Sequence, residues 1–196
     1  MTVDILGNFS IIWAALTLEA KPGKSMTDAL SARLANQKYL DASAAISDDG
    51  CYRYWLSRRL TPGERTVLFV GLNPSTADAT QDDPTIRRCV GYARDWGFDW
   101  LLMGNIYAWR STDPKKLKLV DEPVGPGNQD ALKWMAQQAE LVIAAWGKQR
   151  LTCYGYTLSK WVLSLPICRA LGFNQDGTPV HPLYQPKNAP RLEIPV

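Results

Sequence analysis

The chain has 196 residues, 46% of them hydrophobic, enough for one domain with a substantial core. Its 22 basic and 19 acidic residues leave a formal charge of +3, a mild bias that permits a nucleic-acid partner but includes no long Lys/Arg tract. Four scattered cysteines without a CxxC, together with a single histidine, argue against a zinc site and read as reduced thiols in a cytoplasmic protein.

In chain order, residues 1–46 read as an N-terminal extension that packs on the core or on a second subunit. They offer an apolar run at 9–18, a turn at "KPGKS" and a helix over "MTDALSARLANQ" with Ser25 as its cap. The apolar run is too short to cross a bilayer and lacks a basic flank, so neither a membrane span nor a signal peptide is expected. Residues 47–196 read as a single α/β domain. Residues 52–60 alternate weakly and predict an edge strand. Residues 65–71, "RTVLFVG", form a continuous apolar run, the pattern of a strand covered on both faces.

"DDPTIRRCVGYARDWG" predicts a helix with Asp83 as N-cap, Pro84 at its first position and Gly97 as its stop. Ile86, Cys89, Val90 and Ala93 share its apolar face. The pattern then repeats: a strand at 100–109, a helix capped by Asn128, a strand at 141–147, a helix over "YGYTLSKWVLSL" and a short strand at 167–173. Alternating strands and helices predict a three-layer α/β/α fold around a mostly parallel sheet of about four strands, with ligands at the carboxyl ends of the strands.

Those ends carry the polar chemistry. The first strand ends in Gly71-Leu72-Asn73-Pro74-Ser75. Gly71 lets the chain turn and a ligand approach, while Pro74 holds Asn73 extended, either to orient a water or ligand or to close an Asx-turn. The second strand ends near Asn105 and Tyr107. An amide at the end of an apolar strand needs a partner, and an asparagine presents the donor and acceptor that pair with a base edge. The third ends at Trp146-Gly147-Lys148. Past the fourth, the only histidine, His181, is stiffened by Pro179 and Pro182.

Asp78, Asp82 and Asp83 cluster in sequence, and clustered carboxylates serve as a general base or hold a divalent cation. Asp83 reads as the helix cap and Asp82 as a loop charge, which leaves Asp78 as the catalytic candidate. Arg87 and Arg88 open the first helix, for phosphate contact or as a solvated face. There is no P-loop, no GxGxxG after a strand and no GxSxG, so no nucleotide cofactor and no serine-hydrolase elbow is expected.

The segments "FVGLNPS", "LLMGN", "AAWGK" and "HPLY" together resemble motifs of the uracil-DNA glycosylase superfamily. "SDDGCYRYWLSRR", "GLNPSTADATQDDPTIRRC", "NIYAWRSTDP", "AAWGK" and "HPLY" are similar to the blocks of a bacterial and phage family, domain of unknown function 1643. The glycosylase resemblance implies a glycosylase-like fold and DNA as partner; no metal or cofactor is expected. It further implies that Asn73 orients the attacking water, Asn105 reads a flipped base and His181 stabilises the charge growing on the departing base. The chain departs from that pattern at Ser75, where the superfamily's mismatch-specific branch has glycine, and at Leu183, where its His-Pro motif has serine. The expected function is therefore a nucleobase-recognising, DNA-processing protein, an N-glycosidase acting on a modified or damaged base. The alternatives are a non-catalytic nucleic-acid binder and an enzyme acting on free nucleotides.

Overall fold

The computed structural model describes residues 38–148, 151 and 153–195. Tyr39–Val196 forms one compact unit. The apolar run and the helix expected within residues 1–37 lie outside the described residues. Residues 41–46, placed with the extension from sequence, form the first strand of the sheet.

The strands are β1 (Asp41–Ile46), β2 (Arg53–Arg59), β3 (Thr66–Gly71), β4 (Trp100–Asn105), β5 (Leu141–Ala144), β6 (Cys168–Ala170) and β7 (Leu192–Glu193). The helices are α1 (Pro84–Asp95), α2 (Asn128–Gln138) and α3 (Cys153–Leu163), with 3-10 turns at Pro114–Leu119 and Pro182–Tyr184. All seven strands join one sheet in the order β1-β2-β4-β3-β5-β6-β7.

This corrects the expectation of about four strands in a mostly parallel, glycosylase-like sheet. The sheet is mixed. β3 pairs parallel with β4 and β5, and β5 parallel with β6; β1–β2, β2–β4 and β6–β7 are antiparallel. The reason lies in the connections. A parallel crossover needs roughly a dozen or more residues. The "LTPGER" link between β2 and β3, residues 60–65, is far shorter, so β3 must run opposite to β2. The link from β1 to β2 is a tight turn in which the amide of Gly50, at φ 72°, donates to the Ser47 carbonyl at 2.8 Å. β2 is also not an edge strand: β1 and β4 flank it, and six of its seven residues are buried. β1, "DASAAI", escapes recognition because alanine and serine give no contrast between its two faces.

α1 forms where its signals place it. The Asp83 carboxylate accepts from the Ile86 amide at 2.8 Å, Pro84 opens the helix, and Gly97 follows it at φ 72°. Its buried residues Ile86, Cys89, Val90 and Ala93 join Phe69, Leu101, Met103 and Ile143 in the main core. α2 is capped differently from expectation. Gly127, at φ 77°, holds the cap position, and Asn128 is the first helical residue, fully buried. Its side chain is committed elsewhere: Nδ2 donates to the carbonyls of Asn105 and Ile106, both at 3.1 Å. β4 stops at Asn105 rather than continuing to residue 109. Beyond it, the amides of Ile106 and Tyr107 donate to the carbonyls of Gly71 and Leu72, so the two chains leave the sheet side by side.

Among the described residues no helix is long and apolar enough to cross a membrane.

Candidate functional site

Within the sheet, β4 lies on one side of β3 and β5 on the other, so the connection from β3 runs one way and the connection from β4 crosses back past β3 to β5. The carboxyl ends of parallel strands at such a reversal leave a crevice, because the loops diverge there. A cleft of about 550 Å³ opens at that place, a size suited to a small organic ligand.

Asn105 lines it. The residue is 1% exposed, and neither Oδ1 nor Nδ2 has a hydrogen-bond partner among the described residues. Gly71 makes room for it: a Cβ there would stand 3.0 Å from Oδ1 of Asn105 and 2.7 Å from Cε of Met103. The backbone is held by Asn128, as described above. The strand end is thus fixed in position, with both polar atoms of the side-chain amide buried and without a partner among the described residues. A buried unpaired polar atom costs about 1–3 kcal/mol, so leaving two is expensive unless a ligand completes them.

Arg53, from β2, joins the lining. It is 1% exposed, its Nη1 donates to the Ala77 carbonyl at 2.8 Å, and its Nε is unpartnered. Burial lowers the guanidinium pKa to about 10. Sequence reading did not single out Arg53. The available signal was an arginine inside "YRYWLSRRL", since arginine is rarely fully buried without a partner.

Asn73 lines the wall. Its Nδ2 donates to the carbonyls of Pro74 and Ser111, at 3.0 and 2.8 Å, which clips the 73–75 loop to the segment after β4. That commits the donor end of the amide, while Oδ1 makes no hydrogen bond among the described residues.

His181 lines the same cleft and begins the Pro182–Tyr184 turn, where its Nδ1 accepts from the Leu183 amide at 3.3 Å. Accepting at Nδ1 puts the proton of the neutral ring on Nε2. Burial holds its pKa below the ordinary histidine value, with a smaller opposing pull from Asp83, and the neutral form is favoured. Gly147, at φ 74°, packs close against it: a Cβ there would meet His181 Cβ at 3.3 Å. Tyr184 stands beside the ring, 5.6 Å between centroids.

Leu72, Ser75 and the buried indole of Trp146 complete the sequence-derived residues that meet here. Asp83, Ser111 and Tyr184 also line the cleft and were not assigned to a site from sequence.

Asp78, Pro74, Tyr107, Arg87 and Arg88 lie outside the lining. Asp78 closes its own turn, accepting from the amides of Thr80 and Gln81 at 2.7 and 2.8 Å, and these bonds hold its carboxyl below the usual range. Pro74 is buried, and its carbonyl accepts from the Ser111 amide. The Tyr107 ring is buried and packs against Gly155 of α3, which explains a glycine in that helix. Arg87 is exposed and donates to the Asp82 carbonyl; Arg88 is half-buried on α1.

The third acid, Asp82, is paired with Arg58 at 2.9 Å, both side chains almost wholly buried, and Arg58 also donates to the Asp78 carbonyl at 2.6 Å. All three carboxylates therefore shape their own loop. Among the described residues no group of three or more His, Cys, Asp or Glu is placed to hold a metal ion.

Fold and cleft together define an α/β protein with a cleft at the carboxyl ends of the parallel strands of a mixed sheet. A family model described as Protein of unknown function (DUF1643) matches residues 53–183, and the chain belongs to that family. The match begins at Arg53 and reaches past His181, so it takes in the described lining of the cleft except Tyr184 and Gln185. No curated protein and no solved structure matches the chain.

Proposed function

We propose that the cleft recognises a nucleobase and that the protein is a DNA-processing enzyme of N-glycosidase type, acting on a modified or damaged base. The observation that carries this reading is the Asn105 amide, in the lining of the cleft and buried with both ends unpartnered among the described residues. A fixed donor–acceptor pair complements the hydrogen-bonding edge of a base, and Trp146 supplies an apolar wall for its ring. The resemblance of "FVGLNPS" and "HPLY" to uracil-DNA glycosylase motifs points the same way.

In this mechanism the target nucleotide swings out of the duplex at a cost of a few kcal/mol, least for a base already unpaired or damaged. Asn105 pairs with its edge. A water held by Oδ1 of Asn73 attacks the anomeric carbon as the bond to the base nitrogen breaks. The electron pair leaves with the base, whose growing negative charge is met by the Nε2 proton of neutral His181. The water proton passes to solvent or to the departing base.

A panel of duplexes carrying uracil, 5-hydroxymethyluracil and other modified bases, scored for alkali-labile abasic sites, tests the reading. The expected result is an abasic product from at least one duplex, lost in Asn105→Ala and slowed about 10²–10³-fold in His181→Ala. Absence of abasic product from every duplex would contradict the glycosidase assignment. The buried guanidinium of Arg53 favours a second reading, an enzyme acting on free nucleotides.

A further inference from the structure

Arg53 sets a requirement that the base reading leaves unmet. A buried ion carries a desolvation cost of several kcal/mol, which is offset only by a well-placed partner of opposite charge. No carboxylate forms an ion pair with Arg53 among the described residues. Among the described residues one of its five guanidinium N–H groups bonds a carbonyl, and the buried Nε has no acceptor. Asp83 and, more weakly, Asp78 act on the guanidinium through their charge, but one oxygen of the Asp83 carboxylate caps α1 and one oxygen of Asp78 closes its own turn. Arg110 and Arg58 lie close enough to oppose it. Further round the cleft, Lys148 adds a second, exposed cation.

We infer that the ligand brings its own oxyanion to this site, seated on the Arg53 guanidinium beside the base held by Asn105. A guanidinium matches a carboxylate or phosphate with two parallel hydrogen bonds, which satisfies the open donors and the charge together. The oxyanion has two chemical sources: the phosphate of a free nucleotide, or an acidic substituent on the modified base. The inference rests on the nucleobase reading for its second half. The oxyanion site itself stands on Arg53 alone.

The test is calorimetric titration of the full chain with inorganic phosphate, uridine, uridine 5′-monophosphate and 5-carboxyuridine. The oxyanion-bearing ligands should bind at least about tenfold more tightly than uridine, the value of one charge-assisted pair. Preference for the monophosphate identifies the phosphate as the source, and preference for the carboxylated nucleoside identifies the base. In Arg53→Gln the advantage should vanish; in Arg53→Lys, which keeps the charge but not the fork, part should remain. Equal binding of charged and neutral ligands with no binding of phosphate overturns the inference, as does an advantage that survives Arg53→Gln. Should Arg53→Gln not fold, the wild-type comparison and the Lys variant still decide. Phosphate binding that depends on Arg53, without any gain from a base and unchanged in Asn105→Ala, would remove the nucleobase reading and leave the oxyanion site intact.

Discussion

At the scale of single residues, the chemistry turns on side chains whose hydrogen bonds are incomplete. Asn105 and Asn73 are both strand-end asparagines, yet they do opposite things. Asn73 uses its donor end to fasten two loops, whereas Asn105 uses neither end within the protein. Replacing a structural asparagine leaves its partners unpaired and costs about 1–3 kcal/mol. Asn105 has no side-chain partner to strand, so Asn105→Leu should be at least as stable as the parent in urea titration while losing ligand binding. His181 supplies a pH dependence of known sign. Its folded pKa is depressed by burial, below an unfolded value near 6.5. As pH falls through that value the unfolded state takes up protons first, so this contribution to stability is full above it and declines below it. Urea midpoints at pH 7.5 and 5.5 should differ less in His181→Gln than in the parent.

The residue scale also marks where sequence reading stopped. The polar strand ends were visible because amides and an imidazole interrupt apolar runs. Which amide was occupied was not, because the carbonyl of Ser111 that claims Asn73 lies 38 residues away. Arg53 was overlooked since an arginine in a weakly alternating segment reads as solvent-facing until its neighbours are known.

At the scale of elements, the loop from Ala77 to Asp83 shows how an acidic cluster is used as structure. Arg58 lies beneath it, bonded to Asp82 and to the carbonyl of Asp78, and Tyr39 donates to the other oxygen of Asp82. Removing one member of such a pair strands a buried charge, so Asp82→Ala should lose about 3–5 kcal/mol, with little relief from added salt. Since Arg53 also donates to Ala77, the loss should extend to the cleft. The end of β3 carries the opposite lesson. Gly71→Ala would force a methyl against Met103 and Asn105. The flexible methionine can yield, so the stability cost should stay within about 1–3 kcal/mol, while displacement of the amide should weaken ligand binding more than that loss explains. Comparing denaturation with ligand affinity in the same variant separates the two effects. Helix α1 was legible because cap, proline and terminal glycine are local signals. The cap of α2 was not, since Asn128 is drawn away by carbonyls at the end of β4.

At the scale of the whole molecule, local periodicity identified β3, β4 and β5, but strand direction depends on connection length and strand order depends on pairing. The short link after β2 carried the information that the sheet is mixed. β1 and β7 offered too little contrast or length to be recognised. The strand order matters for function because it places the ends of β3, β4 and β5 around one crevice. The described residues lining that crevice fall between Arg53 and Gln185, inside the compact unit Tyr39–Val196. A chain begun at Tyr39 should therefore unfold in one cooperative transition and bind with unchanged affinity, measured by calorimetry against the full-length protein.

Pairing of Asn105 with a base is reported directly by the side-chain amide resonances of that residue. In a proton–nitrogen correlation spectrum, the pair of signals missing from Asn105→Ala identifies them. Titration of the full chain with nucleoside monophosphates of each base should shift that pair, with one base shifting it at the lowest concentration. Signals that stay in place while a nucleotide binds, as shown by shifts elsewhere in the spectrum, would contradict the claim.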